Sequence, residues 1–241
     1  MIPVVVALSF ATAFGGAQAN PPASPTSNTP SPPPSNAKLD GNLFYEILLG
    51  EVTTRTGDPG AGYALILDAA RRSRSEQLYQ RAADIALQSR SGEYALAAAK
   101  AWQEDHPQSR EANRYVLQIL IALNKVGETA GPLRQFIEQA PLPNRVGILS
   151  SVPQMYGRIA DKAAAVSAVK EAFKGELENR STGAAAWISL GRLQLAADDK
   201  AGSLQSLAKS KAMDPAYEGQ ARLALELMDE GISAAEPFVQ Q

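Results

Sequence analysis

The stretch "AWISLGRLQLAADDKAGSLQSLAKSKAMDP", Ala186 to Pro215, decides how the rest of the chain reads. It is either one isolated helical hairpin or one copy of a repeat. Proline supplies the ruler. Pro107 ends "WQEDHP" and Pro141 ends "FIEQAP", 34 residues apart, and Pro215 closes "SKAMDP" in the same manner. Proline disfavours helix at the residue before it, so a recurring proline closes the second helix of a hairpin and opens the turn to the next. Taking each proline as position 32 starts copies at Glu76, Arg110 and Ala184.

That numbering makes a prediction from residues it did not use. A large apolar residue should stand at position 4, Leu at 7, and small residues at 8 and 20, where the two helices of a hairpin cross closely. The copy 184–217 supplies Trp187, Leu190, Gly191 and Ser203, and 76–109 supplies Tyr79, Ala83 and Ala95, with Trp102 at position 27. The copy 110–143 follows through Val116, Leu117, Leu120, Leu133 and Phe136. A first copy starts near Leu43 with Gly50 and Gly62 as its small pair. Between Arg145 and Ser181 the pattern is degenerate: Tyr156, Ala165 and Ala172 fit, about four residues are added, and Pro153 stands where a small residue belongs. A proline there predicts a kinked or shortened first helix. "YEGQARLALELMDEGISAAEP" reads as the start of a sixth copy, and Leu223, Leu225 and Leu227 either cap the array weakly or continue into a longer one.

On these residues the chain resembles the tetratricopeptide repeat proteins from about Leu43 to Met228. The expected fold is all-α: an α-solenoid of antiparallel hairpins, about five repeats and a partial sixth, over residues 38–241. Neighbouring hairpins then share one apolar seam, so Trp102 and Trp187 should both be core residues.

The part before it is different in kind. Every Lys, Arg, Asp and Glu lies from Lys38 onward. Residues 1–19 carry an apolar run, Ile2 to Phe14, and then Ala17-Gln18-Ala19, the pattern of a secretory leader cleaved after Ala19, although no basic residue precedes the run. Residues 20–37 hold seven prolines and read as an extended, disordered tether. The formal net charge of −2 leaves no footprint for nucleic acid. Cysteine is absent, which removes disulfides, thiolate metal sites, a Cys nucleophile and a lipid-bearing Cys. His106 is the single histidine and sits in a turn, so neither a metal site nor a Ser-His-Asp arrangement has residues to build on. "GDPGAG" at 57–62 lacks the Lys of a phosphate loop. We expect no enzyme, no cofactor and no metal.

The resemblance implies that first helices line a concave face. Projected onto this chain, that face holds Glu51, Arg55, Gln77, Gln80, Arg81, Asp84, Arg114, Tyr115, Gln118, Gln154, Arg158 and Arg192. The expected partner-binding residues are Arg81, Asp84, Arg114, Tyr115, Gln118, Arg158 and Arg192, with Arg114, Tyr115, Arg158 and Arg192 as anchors, because Arg and Tyr combine reach with contact area. A subtype that grips a C-terminal carboxylate through Lys and Asn is not expected: Ile47, Gln80, Arg114, Ser150 and Ile188 occupy the Lys place. With a leader and tether the chain is similar to exported proteobacterial tetratricopeptide proteins. Some of these are lipid-anchored at the outer membrane and act as adaptors for envelope proteases or wall hydrolases. The implied function is a non-enzymatic scaffold in the bacterial cell envelope, in the periplasm or at the periplasmic face of the outer membrane, binding a protein or peptide partner. Without a cysteine to lipidate, membrane attachment stays undecided. The alternative is the helical, substrate-gathering portion of a larger envelope enzyme.

Overall fold

The computed structural model describes residues 41–239, so the leader and tether expectations lie outside the described residues. Those residues form helices in sequence order. α1 (Gly41–Arg55) pairs with α2 (Pro59–Ser73), and α3 (Glu76–Gln88) with α4 (Gly92–Asp105). α5 (Arg110–Ala122) is followed by a 3-10 turn, Val126–Glu128, and α6 (Ala130–Glu138). Then come α7 (Leu142–Met155), α8 (Lys162–Ala172) and the single turn α9 (Lys174–Leu177). α10 (Gly183–Ala196) pairs with α11 (Lys200–Met213), and α12 (Gly219–Asp229) is covered by a 3-10 segment, Ser233–Phe238. Helices α3 and α5 begin at Glu76 and Arg110, where the proline ruler puts them; α10 begins one residue before Ala184.

The backbone carries the period independently of any side-chain pattern. Left-handed residues close the first helices at Gly57, Arg90, Asn124 and Asp198, each at position 15 of its copy. Arg90 accepts a conformation that L-residues rarely adopt because the hairpin turn requires it there. The small pairs also meet as expected. A Cβ on Gly62 would lie 2.8 Å from the Gly50 carbonyl oxygen and 3.0 Å from the Thr54 nitrogen, so backbone meets backbone at the α1–α2 crossing. Ala83 and Ala95 are both fully buried where α3 crosses α4.

The core is handed along the chain rather than gathered at one centre. Val116, Ile119 and Leu120 of α5 belong to the N-terminal cluster, whereas Leu117 of the same helix belongs to the middle one. α10 does the same with Leu190 and Ile188 toward the middle and C-terminal clusters. Trp102 is buried as expected. Trp187 departs from expectation: it is only half-buried, with its Nε1 donating to the Leu177 carbonyl at 3.0 Å and the Lys209 ammonium 4.4 Å above its ring. The carbonyl comes from the inserted turn α9, which precedes α10.

The degenerate repeat departs in a second way. α7 is not shortened by Pro153; it runs 14 residues with the proline near its end. Proline has no N–H, so the Leu149 carbonyl four residues back loses its helical donor. The hydroxyl of Ser189, buried in α10, donates to that carbonyl at 2.7 Å. α7 therefore packs closely on α10, while its backbone stays farther from α8 than the first helix stays from the second in the regular copies. Ser189→Ala should cost about 1–2 kcal/mol, since it strands a buried carbonyl. Adding Pro153→Ala should recover most of that loss by restoring the helical donor. A double-mutant cycle by urea unfolding reads the coupling, and additive losses would sink this account.

Candidate functional site

The first helices α1, α3, α5, α7 and α10 present the side chains picked out from sequence, and several of these bond to one another across repeats. Arg81 of α3 grips Glu51 of α1 through two bonds, 2.6 and 2.8 Å. The Tyr115 hydroxyl of α5 donates to Asp84 at 2.9 Å and accepts from Gln80 at 3.1 Å. Arg192 of α10 pairs with Glu226 of α12 at 2.8 Å. The Arg81 guanidinium holds the Glu51 carboxyl below the usual range, and burial raises the Tyr115 hydroxyl, which stays neutral and able to donate. These four expected binding residues, Arg81, Asp84, Tyr115 and Arg192, are thus engaged in tying repeats together.

Arg114, Gln118 and Arg158 are placed differently. Arg114 bonds Glu111 and Gln118 and lies over the Tyr115 ring, but its guanidinium remains partly open to solvent. Gln118 and Arg158 are exposed, and Arg158 has no ion-pair partner among the described residues. All three border one trough between α5 and α7. Its larger part, about 590 Å³, is floored by Leu117, Phe136, Ile148 and Met155 and rimmed by Arg114, Asn144 and Gly147. A second part of about 530 Å³ continues past Gln118 and Met155 to Ile121, Ile159 and Arg158. A smaller extension of about 270 Å³ reaches Tyr115 and Leu87. No Asp or Glu lines any of the three parts. The trough is apolar below, and its rim carries Arg114, already paired with Glu111, and the free guanidinium of Arg158.

The trough exists because the degenerate repeat breaks the stacking rule. α7 is drawn onto α10 through Ser189 and small neighbours such as Ala185, and α6 has only nine residues, so the floor between α5 and α7 is left uncovered. Gly147 widens it further. This mid-helix residue is exposed, and a Cβ there would meet nothing within 4 Å. Glycine costs a helix roughly 0.5–1 kcal/mol relative to alanine, so its helix is weaker than packing would require. Sequence reading found the rim of this site but missed its floor, Phe136, Ile148 and Met155, and Gly147 with it. Phe136 holds a repeat position normally covered by the next hairpin, and the legible signal was the degeneracy itself.

Outside the trough the sensitive groups have structural partners. His106 bonds the Arg74 carbonyl through Nε2 at 2.8 Å and joins two inter-repeat turns. Glu76 accepts from Trp102 Nε1 at 2.9 Å and from the Ser109 hydroxyl; the Ser109 bond is the main reason its carboxyl lies below the usual range. Among the described residues, no three His, Asp or Glu side chains gather as a metal site needs, and no helix is long and apolar enough to cross a membrane.

No family model and no curated protein matches this sequence. Solved structures with similar helical arrays include MamA from Desulfovibrio magneticus RS-1, at 12% identity, covering 74% of this chain and 98% of that one, with a TM-score of 0.41. A tetratricopeptide repeat protein from Parabacteroides merdae is 12% identical over 83% of this chain and 78% of its own, also at 0.41. A thermophilic tetratricopeptide repeat protein from Thermus thermophilus is 15% identical over 77% and 99%, at 0.34. By their recurring left-handed turns, small crossing pairs and handed-on core, residues 41–239 form an all-α solenoid of tetratricopeptide-like hairpins.

Proposed function

We propose that this protein is a non-enzymatic interaction scaffold that takes a short segment of a partner protein into the α5–α7 trough. The observation that carries the reading is the trough's lining: an apolar floor with the unpaired Arg158 guanidinium on its rim and no Asp or Glu in the lining. Such a lining favours a peptide that brings apolar side chains for the floor and an acidic residue for the free Arg158 guanidinium. Met155 divides the two parts of the trough, and its flexible thioether adapts to varied apolar shapes. The test is selection of a displayed random-peptide library on the folded chain. Enriched sequences should join bulky apolar residues to Asp or Glu and should lose affinity with added salt. Enrichment of basic peptides, or none, would overturn the reading.

The leader and tether support a setting outside the cytoplasm. There the scaffold would face the periplasm of a bacterial envelope, and its partner would be an envelope enzyme such as a protease or wall hydrolase. Expressed from Met1 in a bacterium, the mature chain should be recovered from the periplasmic fraction starting at Asn20. Recovery in the cytoplasm with Met1 retained would remove that setting and leave the trough reading untouched.

A further inference from the structure

The end of the array opposite α12 carries a surface that the trough does not explain. Phe44, Tyr45, Leu48, Leu49 and Val52 of α1 are 39–65% exposed. On a helix of 3.6 residues per turn they fall within about 140° of arc, one continuous face. The opposite side of α1 is already packed: Leu43 and Gly50 are buried and Ile47 meets the N-terminal core. The helix's two carboxylates are taken up by that packed side, Glu46 by Arg72 and Glu51 by Arg81. No charge interrupts the outer face until Arg55, at its end. A helix apolar on both sides is one whose second side is covered.

We infer that this face is covered by the same face of a second copy, across a two-fold axis through Leu48. Leu48 stands at the middle of the 15-residue helix. An antiparallel pairing about it sets Phe44 of each copy against Val52 of the other, large against small, and brings no like charges together at the centre. This self-complementarity is what an isologous interface needs. From their exposed fractions the five side chains leave on the order of 500 Å² open, so two copies would bury about 1,000 Å² from these residues alone, the threshold for a specific interface. The adjoining tether is a poor alternative cover: residues 20–37 contain only Pro, Ala, Ser, Thr and Asn. A lipid surface is disfavoured too, because Arg55 is the single basic residue of α1, whereas interfacial helices are rich in Lys and Arg on the polar face.

The absence of cysteine makes the test clean. Sedimentation equilibrium of the full chain should give twice the single-chain mass at micromolar concentration. Leu48→Glu, a change at an exposed site, should halve that mass with an unchanged helical circular dichroism spectrum. Leu48→Cys, then the sole thiol, should cross-link copies under mild oxidation, and Leu225→Cys, equally exposed on α12 at the far end, should not. A native chain that sediments as a monomer overturns the inference. A dimer that survives Leu48→Glu and cross-links through Leu225→Cys overturns it as well.

Discussion

Replacing Trp102 by alanine should lower the unfolding free energy by about 3–5 kcal/mol, a large part of what a domain of this size has. The ring is 2% exposed, lies 5.5 Å from the Tyr115 ring, and donates to Glu76 at 2.9 Å. It thereby joins its own helix α4 to the start of α3 and to α5 of the next repeat. Truncation removes the ring's contacts and also leaves Glu76 with one fewer donor. In a stacked array each repeat is stabilised by its neighbours, so a damaged seam lowers the whole N-terminal half together. Trp102→Phe should cost less, because it keeps most of the ring volume and loses only the indole donor. Trp187→Ala should also cost less, since that ring is half-buried and its lysine contact is exposed. Urea unfolding of the three variants gives the ranking. A Trp102→Ala loss no larger than that of Trp187→Ala would show that the seam does not run through Trp102.

The regular hairpins were legible in sequence because each depends on local rules that a period repeats. Pro107 and Pro141 end second helices for lack of an N–H, Gly62 and Ala83 stand where backbones cross, and the two starts at Glu76 and Arg110 follow. What sequence obscured was the consequence of breaking the period. Pro153 predicts a damaged α7, and the damage is instead absorbed by Ser189, a residue 36 positions away whose hydroxyl has no local signal. The rim of the trough was found because Arg114, Gln118 and Arg158 occupy positions that the period projects onto one face. Its floor was not, since Phe136 and Met155 look like ordinary core residues until α7 shifts toward α10. The engagement of Arg81, Asp84 and Tyr115 with one another was equally hidden, as a projection gives the face of a residue and not its partner.

Gly147→Leu should abolish peptide binding in the trough while leaving the protein at least as stable as before. Three facts support that pairing of outcomes. Gly147 borders the larger part of the trough. A Cβ there meets no atom within 4 Å, so the new side chain projects into open space rather than into packing. And leucine is the better helix former by roughly 0.5–1 kcal/mol, which α7 gains in its middle. The added isobutyl group would occupy the space over Ile148 and Phe136 where an apolar anchor of the ligand must sit, and losing a central anchor costs binding on the order of 2 kcal/mol or more. Affinity for the selected peptides should therefore fall by at least about 30-fold, with the thermal midpoint unchanged or raised. Arg158→Glu, in contrast, should weaken acidic peptides selectively and spare neutral apolar ones. Isothermal titration on the native chain and both variants separates the effects. If Gly147→Leu binds like the native protein, the trough is not where the partner sits, however well the rest of the solenoid is understood.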